Sequence, residues 1–160
     1  MLTPENARVI LAEATSETEG MGSGAAAAVA ALHTRTLDAL AGYVRMVEKA
    51  EPEFRPTAER FRDLHARHAD QLAVILAAMG GHPEEDGSIM GTINETVVSL
   101  RAFFDEIDED VMDNVRSGED HVLHAFDGAL EEGLADPDQT TIAFMRDELQ
   151  ALLDDTRHLD

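Results

Sequence analysis

The sequence predicts an all-α fold: four long helices arranged as two antiparallel hairpins with a long crossover between them. Three observations carry this. Apolar residues recur at three- and four-residue spacing with no alternating strand pattern. The core palette is Leu, Val, Ile, Met and Ala, with aromatics at only 4%, which favours helix over sheet. Punctuation by Pro and Gly divides the chain into segments of helical length.

The first long helix is expected over 25–50, opened by an Ala-rich run and closed by Glu51-Pro52, because the residue before a proline is pushed out of the helical region. The second is expected over 55–79, with Pro56 in its first turn and Gly80-Gly81 at its end. A shorter helix is expected at about 90–104. Acidic residues at 105–110 interrupt the pattern, and the third long helix then extends to about 132. Residues 133–138 form the last turn, and 139–158 give the fourth helix. The joins between first and second, and between third and fourth, are short, so each pair is an antiparallel hairpin. Residues 80–108 make the long crossover, which is ferritin-like wiring rather than a plain up-and-down bundle.

Residues 1–24 read as an appendage to a bundle domain over 25–160. A short helix over 4–14 would carry Val9, Ile10 and Leu11. The tract Ser16-Glu-Thr-Glu-Gly-Met-Gly-Ser-Gly24 has the composition of a flexible linker. The segment is either a loosely ordered terminus or a docking arm that packs on a neighbouring subunit, a protein partner by definition.

The charge narrows the partners. There are 33 acidic against 12 basic residues, a formal charge of −21. Phosphate backbones and anionic membrane surfaces are repelled, so neither nucleic acid nor membrane is an expected partner. Like-charged subunits also repel, so a homo-oligomer, which is expected, needs a specific apolar contact. The absence of cysteine excludes disulfides, zinc–thiolate sites and thiol catalysis. With no secretory leader and no membrane-length apolar run, a cytoplasmic location is expected.

Four polar residues fall where a bundle should be apolar. His65 and His68 interrupt the stripe Phe54, Ala58, Phe61, Leu72, Ile75, Met79. Glu119 interrupts Met112, Val115, Val122, Phe126, Ala129, and Asp38 borders Leu37, Leu40, Val44, Val47. Inward ionisable groups must pair, hydrogen-bond or hold a metal. Counting helix rise from the two short turns puts Asp38, His68, Glu119 and Asp155 in one layer. His158 follows Asp155 by three residues, and Tyr43 lies close enough to support the layer. The metal-ligand candidates are therefore Asp38, His65, His68, Glu119, Asp155 and His158. The set is poorer than the paired Glu-x-x-His steps of di-metal bundles. It suits iron or another divalent metal in a one-metal site, or a hydrogen-bond network alone. Equally simple readings make His65 and His68 core histidines capped by Asp38, Tyr43 or Glu119, and Asp155 and His158 exposed tail residues. A redox role for Tyr43 is a further alternative. No phosphate loop, nucleophile elbow or Ser/His/Asp arrangement is present.

The tract Gly80-Gly81-His82-Pro83-Glu84-Glu85-Asp86-Gly87-Ser88, with Gly118-Glu119-Asp120 downstream, resembles an uncharacterised bacterial family of ferritin-like four-helix-bundle proteins (a GGxPEDxGS loop plus a GED motif). Gly42-Tyr43 and His68 fall in the order of that pattern, and the likeness covers about residues 30–132. Two departures stand out: Asn94-Glu95-Thr96-Val97 replaces a His-Arg-x-Trp-like step, and Phe126 replaces a Tyr. The resemblance implies the fold and brings no settled activity. Two functions follow as expectations. One is a bundle holding iron or another divalent metal, with Fe(II) oxidation or storage, or a stress role, as its chemistry. The other is a non-catalytic bundle whose polar layer fixes helix register and whose surface binds a protein.

Overall fold

A computed structural model describes residues 4–82 and 107–159, with side chains from Gly24 onward. The predicted short helix at 90–104, the tract 83–88 and most of the crossover lie outside the described residues. Among the described residues there are four α-helices: α1 (Pro4–Lys49), α2 (Arg55–Ala78), α3 (Met112–Glu131) and α4 (Asp136–Asp155). A 3₁₀ turn (Glu109–Val111) leads into α3. Among the described residues there is no strand, only an isolated bridge between Ala50 and Ile107.

The boundaries follow from local chemistry. Pro56 sits in the first turn of α2, where its missing N–H costs nothing. At the other end Gly80 takes φ 81°. Its N–H donates to Ala77 O at 3.1 Å, and that of Gly81 donates to Leu76 O at 2.9 Å. This pair of bonds is the Schellman arrangement, and a β-carbon at Gly80 would oppose it. Gly133, at φ 72°, ends α3 in the same region of backbone space.

Two expectations are corrected. Residues 15–24, read as a flexible linker, belong to the continuous α1. Ser, Thr and Glu are compatible with helix. Each glycine costs about 1 kcal/mol relative to Ala, but the Ala-rich run that begins at Ala25 favours the helix. The fourth helix starts at Asp136 rather than Gln139, because Pro137 opens it as a first-turn residue instead of closing the preceding loop.

Contacts fix the directions. Ile107 N donates to Lys49 O at 3.0 Å, and Glu51 N donates to Ile107 O at 2.8 Å. The entry to α3 therefore lies against the exit of α1. At the other end, a β-carbon on Gly24 would stand 2.9 Å from Glu132 Oε2. α1 and α3 thus run antiparallel. Arg60 to Asp155 and His68 to Glu148 set α2 antiparallel to α4. Arg146 to Asp127 and Gln139 to the Leu130 carbonyl do the same for α3 and α4.

The core is one cluster drawn from all four helices. Phe61 and Leu72 of α2, Phe126 of α3, Met145 and Leu149 of α4 and Leu32 of α1 are among its largest fully buried apolar members. Burying each such side chain contributes about 1.5–3 kcal/mol. Arg116 fastens the chain end: its Nη2 donates to the Thr156, Arg157 and Leu159 carbonyls at 3.4, 3.3 and 2.5 Å. No helix among the described residues is long and apolar enough to cross a membrane.

Candidate functional site

Within this apolar interior lie His33, Thr36, His65, His68, Glu119 and Thr156, all buried. Two clusters among them carry chemistry.

The first joins three helices. Tyr43 of α1 lies between Phe61 and His65, which are four residues apart on one face of α2. Its ring stacks on Phe61 at 5.2 Å and 13°, and on His65 at 5.3 Å and 10°. Tyr43 and His65 stand eleven residues either side of Phe54, so equal rise along antiparallel helices brings them level. The Tyr43 hydroxyl donates to Glu119 Oε1 from α3. His65 Nε2 lies 2.8 Å from the same oxygen. Burial pushes the Tyr43 phenol well above its usual range, and the charge of Glu119 and the hydrogen bond to it add to the rise. The phenol is therefore neutral, and its proton is the one shared with the carboxylate.

The second cluster reaches the surface. His68 Nε2 lies 2.9 Å from Glu148 Oε2 on α4, and Arg67 Nη1 donates to Glu148 Oε1 at 3.3 Å. His68 is fully buried, while the Glu148 side chain is 24% exposed. Burial lowers the pKa of His68; its bond to Glu148 acts in the opposite direction and is outweighed. Burial pushes Glu148 up, but the hydrogen bonds from His68 and Arg67 outweigh it and leave the carboxyl below its usual range. A neutral imidazole beside an ionised carboxylate holds its proton on Nε2 and leaves Nδ1 a bare acceptor.

The clusters meet where His65 stands edge-on to His68, with ring centroids 6.5 Å apart. His68 in turn stands edge-on to Phe126 at 5.9 Å. His65 Nδ1, His68 Nδ1 and Glu119 Oε2 are buried without a hydrogen-bond partner among the described residues.

The expected layer of Asp38, His68, Glu119 and Asp155 is differently composed. His65, not His68, meets Glu119. Asp155 is exposed and pairs with Arg60 at 2.6 Å. His158 is exposed in the turn after α4, and Asp38 is half-buried on α1. The register of α4 explains the difference: Glu148, two turns before Asp155, is the residue level with His68. Glu148 was missed because it stands at the margin of the stripe Ile142, Met145, Leu149, Leu152, where a carboxylate reads as surface. Among the described residues, no group of three or more His, Cys, Asp or Glu side chains is arranged to hold a metal ion. Among the described residues, Glu119 is the sole buried carboxylate beside the two imidazoles, and these three groups alone carry too little negative charge for two divalent ions.

Comparison with known proteins gives a family and no function. No curated protein matches the chain, and no solved structure does. Residues 25–132 match the family described as a domain of unknown function, DUF2383, and the chain belongs to that family.

Proposed function

We propose that this member of the DUF2383 family is a non-catalytic bundle of ferritin-like helix order, in which Tyr43, His65 and Glu119 lock helix register and the outer surface binds protein. The observation that carries the reading is the single oxygen, Glu119 Oε1, bonded from both α1 and α2. Sliding any of the three helices by one turn would strand a buried carboxylate, at a cost of several kcal/mol. The ferritin-like order is supported by the position of Ile107. It lies beside Lys49 and Glu51, while the 24-residue α2 carries the chain about 36 Å away from that end before α3 begins.

One observation favours a second reading, uptake of a single divalent cation such as Fe(II) or Mn(II). Three electron-pair donors, His65 Nδ1, His68 Nδ1 and Glu119 Oε2, are each buried without a hydrogen-bond partner among the described residues, and nitrogen and oxygen donors suit such ions. Their present arrangement is not that of a metal site, so binding would require the side chains to turn. Melting curves with and without Fe(II), Mn(II) or Zn(II), together with elemental analysis of protein purified without chelator, separate the two readings. The register lock predicts no cation-dependent rise in Tm. A rise of several degrees that His65→Leu abolishes would replace it with the cation site.

A further inference from the structure

Two of the three exposed large apolar side chains among the described residues share one face. Val74 on α2 is 71% exposed and Phe144 on α4 is 64% exposed. Arg60, Arg67 and Val74 recur every seven residues, two turns, so they point the same way along α2. Arg60 pairs with Asp155 and Arg67 with Glu148. Continuing that antiparallel register brings Gln71 level with Phe144 and Ala78 level with Pro137. The result is an exposed patch made of Gln71, Val74 and Ala78 from α2 and Pro137, Thr140 and Phe144 from α4. None of the six carries a charge, in a chain where 28% of residues do; the exposed Asp70 and Asp147 stand at the patch's rim, within about one turn of Val74 and Phe144.

We infer that this α2/α4 face is the contact surface for a second copy of the same chain. Charge decides the occupant. A basic partner drawn by the charge of −21 would settle on the acidic surfaces, not on an uncharged patch. A partner that covers Phe144 must itself present uncharged apolar surface, and a second copy does so. A two-fold axis parallel to the helices lays α2 of each copy on α4 of the other, at the same height. Val74 then lies beside Phe144 of the partner copy, and Arg60 and Arg67 lie over its Asp155 and Glu148. Apolar residues meet apolar residues and basic residues meet acidic ones, as an isologous contact requires. Two helices about 30 Å long and about 10 Å wide each offer roughly 600 Å² per copy, close to the ~800 Å² of a standard interface.

The inference extends the reading of a bundle that acts through its surface. It is tested apart from the central layer, since Val74 and Phe144 stand on the outer faces of α2 and α4 while Tyr43, His65 and Glu119 are buried. The full chain and three variants, Phe144→Glu, Val74→Glu and Val44→Glu, are compared by sedimentation velocity at low and high salt. Circular dichroism checks that each remains helical. The wild-type chain should sediment at twice its 17.4 kDa mass. Dimerisation should be tighter at high salt, where repulsion is screened. Phe144→Glu and Val74→Glu should each weaken it at least tenfold. Val44→Glu, at the third exposed apolar residue, on α1, should leave it unchanged. A wild-type monomer under all conditions would overturn the inference. So would an oligomer unmoved by Phe144→Glu, or one broken equally by Val44→Glu.

Discussion

Replacing Tyr43 with Phe removes one oxygen atom and isolates the bond on which the register lock depends. The aromatic ring keeps its place between Phe61 and His65, so stacking and packed volume are nearly unchanged. What is lost is the hydroxyl bond to Glu119 Oε1. Glu119 is 1% exposed and its Oε2 already has no partner among the described residues, so water cannot readily replace the lost donor. A hydrogen bond to a charged group contributes about 1.5–3 kcal/mol, and the unsatisfied acceptor left behind adds to the loss. The expected destabilisation is about 2 kcal/mol. For a domain of this size that corresponds to a fall of roughly 4–8 °C in Tm. Urea unfolding followed by circular dichroism measures it, with an unchanged m-value as the sign that the folded state is intact. A change below about 0.5 kcal/mol, the scale of an ordinary surface substitution, would speak against the lock. It would mean that the phenol does not hold the carboxylate.

His68→Leu should be neutral or stabilising, because Glu148 keeps Arg67 and partial solvent access when the imidazole is gone; equilibrium unfolding reads this directly. The same residue sets a pH dependence. Its folded pKa lies below 6.5, so the unfolded chain binds more protons than the folded one as pH falls below 6.5, and stability declines with acidification. Glu148, with a folded pKa below its unfolded value, contributes stability above the unfolded pKa that is lost as pH falls through the folded one. Tm should therefore drop between pH 7 and pH 5, and His68→Leu should flatten the upper part of that drop. An equal slope in the wild-type protein and the variant would contradict the assignment.

The helical architecture was legible because its signals are local. Spacing of three and four residues, Pro56 in a first turn and Gly80 after a last one each act within a few positions. The inward placement of His65, His68 and Glu119 was legible for the same reason: an apolar stripe fixes which face a residue occupies. Partners were harder to read, because pairing depends on register between helices. Centring the last turn near Asp136 rather than within 132–135 moves the residue level with Glu119 by about five positions, and a tolerated mismatch of two more puts Asp155 where Glu148 belongs. Tyr43 shows the opposite case. Its place near the interface of the first two helices is enough to put its hydroxyl in the polar layer. Residues 15–24 misled because glycine and serine are shared by linkers and by helices that neighbouring alanines can carry.

If Tyr43, His65 and Glu119 form a structural lock, its cost appears when one member is removed and disappears when all are. The stability of the triple variant Tyr43→Phe/His65→Leu/Glu119→Leu tests it most directly. Replacing a whole buried polar network by packed apolar groups is often neutral or stabilising. The triple variant should therefore unfold at a urea midpoint at or above that of the wild-type protein, and clearly above that of Tyr43→Phe alone. A triple variant less stable than Tyr43→Phe would contradict the claim, since the losses would then add as they do for independent sites.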